Sequence, residues 1–122
     1  YPEELDRLLA AARGPDAAFR QVAANRMAEA PPEVAHPEWA RLLDDPSRMV
    51  RRSVVDTAVD AGREQLRPLL ERALSDTDAW VRWKALRGLA DLGAARSDVA
   101  IRPLTNDPDF RVRLEAHAAL RR

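Results

Sequence analysis

The sequence predicts an all-α fold, an α-α superhelix of about four helix pairs that repeat every 31 residues. The first observation behind this is an aspartate column at Asp45, Asp76 and Asp107. The second is a Val-Arg column at the same interval, Val50-Arg51, Val81-Arg82 and Val112-Arg113. The third is the spacing of apolar residues inside each copy, which follows one face of a helix, while no stretch alternates as a strand does. A further step back from Asp45 reaches Gly14, where GPDAAFRQVAANRMAEA continues the pattern. Phe19 then stands in the valine column and Arg20 in the arginine column.

The elements follow in chain order. Tyr1–Arg13 reads as a helix with Leu5, Leu8 and Leu9 on one face, and the copy after Gly14 supplies the first long helix. The second long helix carries Val50, Val54, Val55, Ala58 and Val59 and stops at Gly62. The third carries Val81, Ala85, Leu86, Leu89 and Leu92 and stops at Gly93; the fourth carries Val112, Ala116, Ala119 and Leu120. Glycine suits such helix ends because it adopts the left-handed conformation at little cost. Each start is marked by Asp45-Pro46 or Asp107-Pro108, or by a cap two places on, such as Asp78 or Asp109. Shorter helices are expected at Pro37–Asp44, Glu64–Ser75 and Ser97–Thr105, with Pro68 and Pro103 restricting or kinking them. The chain is expected to form one domain over 1–122, with repeats at about 1–30, 31–61, 62–92 and 93–122. It stops after its fourth long helix without a polar cap, so the natural protein is expected to continue beyond Arg122.

Composition narrows the function classes. The 122 residues are 46% hydrophobic and 33% charged, with 20 basic against 20 acidic side chains. That excludes a disordered polyelectrolyte and gives no global charge that would call for nucleic acid. Without cysteine, disulfides, iron–sulfur clusters and thiol catalysis are excluded. No apolar run is long enough to span a membrane, and the start Tyr1-Pro2-Glu3-Glu4 is unlike a signal peptide, so a cytoplasmic location is the default. Lys84 is the only lysine, which we read as the codon bias of a GC-rich bacterial genome.

The motif Asp-Pro-x-x-x-Val-Arg-x-x-x-x-x-Ala, with Gly at the helix end, resembles the HEAT repeat in its short bacterial form, over Leu5 to Leu120. The first junction, VAANRMAEAPPEVAHPEWARLLDDP, is also similar to the leucine-rich repeat variant, some of whose members hold an iron–sulfur cluster on cysteines that this chain lacks. The resemblance implies a HEAT-like solenoid in which Asp and Arg columns bond across successive repeats. Asp45, Asp76, Asp107, Arg51, Arg82 and Arg113 are accordingly expected to form a structural ladder rather than a row of phosphate ligands. Arg20, with Gly14 in the place of its aspartate, is expected to be the least constrained of the column.

The tryptophans break the repeat. Trp80 shares a column with Ala18, Met49 and Arg111, and Trp83 with Gln21, Arg52 and Leu114. Core columns carry similar apolar residues, so these two rings, three residues apart on one helix, are candidates for a binding surface flanked by Met49, Arg52 and Arg87. Trp39 is expected to be a core anchor, His36 to cap a helix from a proline-rich loop, and His117 to be buried or half-buried. No metal-ligand spacing, glycine-rich loop or nucleophile–base pair is present, so neither cofactor nor catalysis is expected.

A non-catalytic module that binds a partner protein, as scaffold or adaptor, is the leading expectation. The alternatives rest on resemblance: DNA glycosylases built of similar helical repeats, and the bilin lyase group with HEAT-like repeats. Residues 1–61 carry a net −3 and residues 62–122 a net +3, which allows weak head-to-tail self-association through the ends of the solenoid.

Overall fold

The computed structural model describes residues 2–121, apart from the side chain of Pro2. Tyr1, where the first helix is expected to start, and Arg122, counted with the basic end, lie outside the described residues. The described helices are α1 (Pro2–Arg13), α2 (Ala17–Arg26), α3 (Pro32–Leu42), α4 (Arg48–Ala61), α5 (Arg67–Ala73), α6 (Ala79–Gly93), α7 (Asp98–Ile101) and α8 (Phe110–Leu120). Tighter 3-10 turns at Met27–Glu29, Glu64–Leu66, Ala94–Ser97 and Arg102–Asn106 complete the path, and no strand occurs among the described residues. The chain packs as two compact units, Tyr1–Ala58 and Val59–Arg122.

The long helices fall where the period puts them, and their starts are fixed by side-chain caps. Asp16 accepts the Ala18 N–H, Asp78 that of Val81, and Asp109 those of Arg111 and Val112. Each capping residue thus lies two places after the repeat's aspartate column. The column residues shape the preceding turn instead: Asp45, Asp76 and Asp107 accept the N–H of Ser47, Asp78 and Asp109 at 2.8–2.9 Å.

The shorter helices depart from expectation. Helix α3 starts at Pro32, five residues early, and absorbs His36 and Pro37. Pro31-Pro32 explains the shift, since proline at the first helical position gives up an N–H that would have no partner there. His36 is therefore inside a helix, its ring 5.9 Å from Trp39, and does not cap one. Pro68 and Pro103 begin helical segments rather than kink them, as each is the second residue of its turn.

In the first unit α1 packs on α2 and α2 on α3 around Ala12, Ala23, Met27, Trp39, Leu42 and Val50, all at most 1% exposed. Trp39 is a fully buried anchor, and its indole N–H donates to the Ala24 carbonyl at 2.9 Å. Glu38, nearly buried, holds Arg13 and Arg41, and Arg41 also donates to the Ala12 carbonyl near the end of α1. In the second unit α6 packs on α5 and α8 around Leu70, Val81, Leu86, Leu89, Ile101 and Val112. Gly88 permits that contact: a Cβ there would lie 2.6 Å from Val59 Cγ2 and 3.0 Å from Leu70 Cδ1. Arg67, also buried, closes the end of α6 by donating to the carbonyls of Leu92 (2.7 Å) and Gly93 (3.0 Å), the latter at φ +101°.

The arginine column binds in two directions. Arg20 Nε and Nη2 donate to the two oxygens of Asp45 at 2.7 and 3.2 Å, and Nη1 donates to the Gly14 carbonyl. Arg82 treats Asp107 the same way at 2.8 and 2.9 Å, and the Asp76 carbonyl at 2.8 Å. Arg20 is thus as firmly held as Arg82, because its carboxylate partner comes from the following repeat and only a backbone carbonyl is needed at Gly14. Burial opposes the charge on Asp45 and Asp107, but the arginine bonds and the turn N–H outweigh it and hold both carboxyls below the ordinary range. For Glu38, burial is likewise outweighed by Arg13 and Arg41.

Two outcomes follow. Depressed carboxyl values mean stability that is complete above the unfolded-state value near about pH 4 and is lost as pH falls through the lower folded values. Asp107→Asn should therefore lower urea stability at neutral pH by about 1–3 kcal/mol and make the acid limb of stability against pH shallower. Gly88→Ala would stabilise an exposed helix, but here it should cost about 1–3 kcal/mol in the same assay, because Val59 cannot yield without repacking.

Candidate functional site

Trp80 and Trp83 stand in the first turns of α6, immediately after the Asp78 cap. Their ring centroids are 6.3 Å apart with planes tilted by 52°. One turn on, the Arg87 guanidinium lies 5.2 Å from the Trp83 ring centroid and 3.6 Å from a Glu115 oxygen on α8. The cluster therefore runs along α6 and across to α8, with the Arg87 side chain 53% exposed and that of Glu115 only 14%. A guanidinium on an indole face gains from the ring's electron density, and Glu115 fixes its direction.

Both indoles are half-buried. The two rings lie beside each other, and the Arg87 guanidinium sits over the Trp83 ring. Met49, 45% exposed, and Arg52, half-buried, lie in the first two turns of α4 in the other unit. Of the ladder residues, Asp45 and Asp107 are buried, and Arg51, Asp76, Arg82 and Arg113 are half-buried. Arg51 Nη1 donates to the Asp45 carbonyl at 2.8 Å and Arg113 Nη1 to that of Asp107 at 2.7 Å.

His117 is exposed, against expectation. Its equivalents Val55 and Leu86 are fully buried, whereas this face of α8 is left open among the described residues. Phe110 and Leu114, on the same stripe, are 58% and 56% exposed. The first unit has an open apolar region too. Phe19 is 64% exposed although Val50, Val81 and Val112 of its column are wholly buried, and with Val22, Leu5 and Leu8 it lines a groove of about 630 Å³. Sequence reasoning passed over it because a column that is core in three copies reads as core in the fourth; the change from valine to phenylalanine was the available signal.

No group of three or more potential metal ligands occurs among the described residues. Nor is any helix there long and apolar enough to cross a membrane.

The sequence matches HEAT repeats over residues 36–121. The chain belongs to the HEAT-repeat family. The crystal structure of an engineered protein has a similar fold, with a TM-score of 0.67 at 18% identity over 96% of this HEAT-repeat chain. The chain spans 61% of the length of that protein. No curated protein is a significant match to the sequence. The fold is thus all-α and built of helical repeats, a class commonly used as an interaction scaffold.

Trp39 is fully buried while Trp80 and Trp83 are half-buried, so acrylamide should quench the two α6 indoles and spare the third. Single-tryptophan variants read by fluorescence check this; equal quenching of all three would contradict the burial described.

Proposed function

We propose that this HEAT-repeat chain is a non-catalytic module of the bacterial cytoplasm that binds a partner protein, as scaffold or adaptor. The observation that carries the reading is the Trp80–Trp83–Arg87 cluster, a rigid aromatic strip whose cationic end is braced by Glu115. Tryptophan and arginine dominate binding energy at protein interfaces because they bury much area with few rotors to freeze. A partner segment would lay an apolar side chain on the indole edges and place a carbonyl or carboxylate on Arg87. Rigid docking suits such a surface, since neither ring has to be reoriented.

The nucleic-acid alternative gains no support from the ladder, because Arg20 and Arg82 already hold Asp45 and Asp107. Phosphates would have to displace half-buried carboxylate pairs. No observation favours a bilin-lyase-like role.

The test begins with a tagged pull-down from lysate and titration of the protein it yields. Trp80→Ala with Trp83→Ala should weaken that complex at least tenfold while far-ultraviolet circular dichroism keeps its helical form. Met49→Ala with Arg52→Ala, on the other unit, serves as a separate variant. An unchanged affinity in the tryptophan pair would remove this surface from the proposal, and salt-sensitive capture of nucleic acid instead would overturn the reading.

A further inference from the structure

The Arg87 guanidinium is positioned by two contacts and spent on neither. It lies 5.2 Å from the Trp83 ring centroid, and Glu115 approaches its Nη1 at 3.6 Å, too far for a hydrogen bond. Among the described residues no acceptor meets its Nε–Nη2 edge. That edge is the pair of parallel N–H groups with which Arg20 takes Asp45 and Arg82 takes Asp107. The Arg87 side chain is 53% exposed although α8, from the next repeat, is packed against α6. The opening is thus present with the following repeat in place.

A second cation has the same character. Arg111 stands on α8 at the repeat position of Trp80, with its side chain 70% exposed and 3.7 Å from Asp109. Its guanidinium makes no hydrogen bond to a described residue. This column is open where a further repeat follows it, since Ala18 and Met49 are exposed too. We propose, resting on the tryptophan reading above, that this surface of α6 binds an acidic segment of the partner protein. An apolar side chain of that segment would sit on the indoles of Trp80 and Trp83, and a carboxylate beside it would take the Arg87 fork. A carboxylate suits the fork better than a carbonyl does, because charge-assisted bonds are roughly twice as strong as neutral ones. The guanidinium is already oriented, so little freedom is lost on binding. The net +3 of residues 62–122 favours the approach of an acidic segment. Glu115 selects a peptide over a nucleic-acid strand. A phosphate backbone brings a charge at every step and would set one against this carboxylate, whereas a peptide can place an uncharged residue there.

The probes are two fluorescein-labelled peptides and a labelled oligothymidylate, titrated against the full chain and read by fluorescence anisotropy. One peptide is Gly-Glu-Glu-Leu-Phe-Glu-Glu-Gly, and the other has glutamine for every glutamate. The glutamate peptide should bind about tenfold more tightly than the glutamine peptide. Arg87→Gln should weaken the glutamate peptide about fivefold and shift the glutamine peptide by less than about twofold, whereas Trp80→Ala with Trp83→Ala should weaken both. Equal affinity for the two peptides, with both lost in the tryptophan variant, would overturn the acidic ligand and leave the tryptophan surface standing. Failure of both peptides to bind, or a glutamate preference that survives Arg87→Gln, also overturns the acidic ligand. Tighter capture of the oligothymidylate, abolished by Arg87→Gln, would remove both this ligand and the protein-binding role.

Discussion

A carboxylate that serves two masters underlies the architecture. Asp107 bends the turn before α8 by accepting the Asp109 N–H, and in the same breath takes the fork of Arg82 from the preceding long helix. Asp45 does the same for Ser47 and Arg20. Local turn geometry and the joining of successive repeats are therefore a single constraint, and neither can be relaxed without the other. The bidentate geometry matters because a planar guanidinium admits the carboxylate in one direction only, which sets register as well as affinity. Apolar columns such as Val50, Val81 and Val112 are fully buried, but area alone does not choose a register.

The period of the sequence made most of the fold legible, because helical repeats meet their neighbours at equivalent positions. The long helices and the glycine ends could be read for that reason. The shorter helices were read less well. Their pattern is weak, and the placing of α3 was decided by Pro31-Pro32, which reads equally as a loop or as a helix start. Arg67 was invisible for a different reason: nothing in its own neighbourhood marks it as the closing group of α6, a helix that ends 26 residues later.

The candidate surface was half legible. The clash of residue types in the Trp80 and Trp83 columns flagged both rings and their neighbour Arg87, yet not that the Arg87 guanidinium would sit over the Trp83 ring. Phe19 and His117 show the opposite failure. Each stands in a column that is buried elsewhere, yet each is itself exposed. Positions that depart from their own column thus carry information about surfaces, whereas positions that agree with it carry information about the core.

The Arg67 network has a consequence for how this unit moves. Besides the carbonyls of Leu92 and Gly93, its guanidinium binds Ser97, whose hydroxyl donates to Glu71, and it pairs with Glu64, which also meets Arg96. The start of α5 and the tail of α6 are therefore tied through one buried cation that has no second set of partners to fall back on. Fraying of either would strand a charge in the interior, so thermal breathing of the two segments is coupled, and slow amide exchange should extend across both as one cooperative patch.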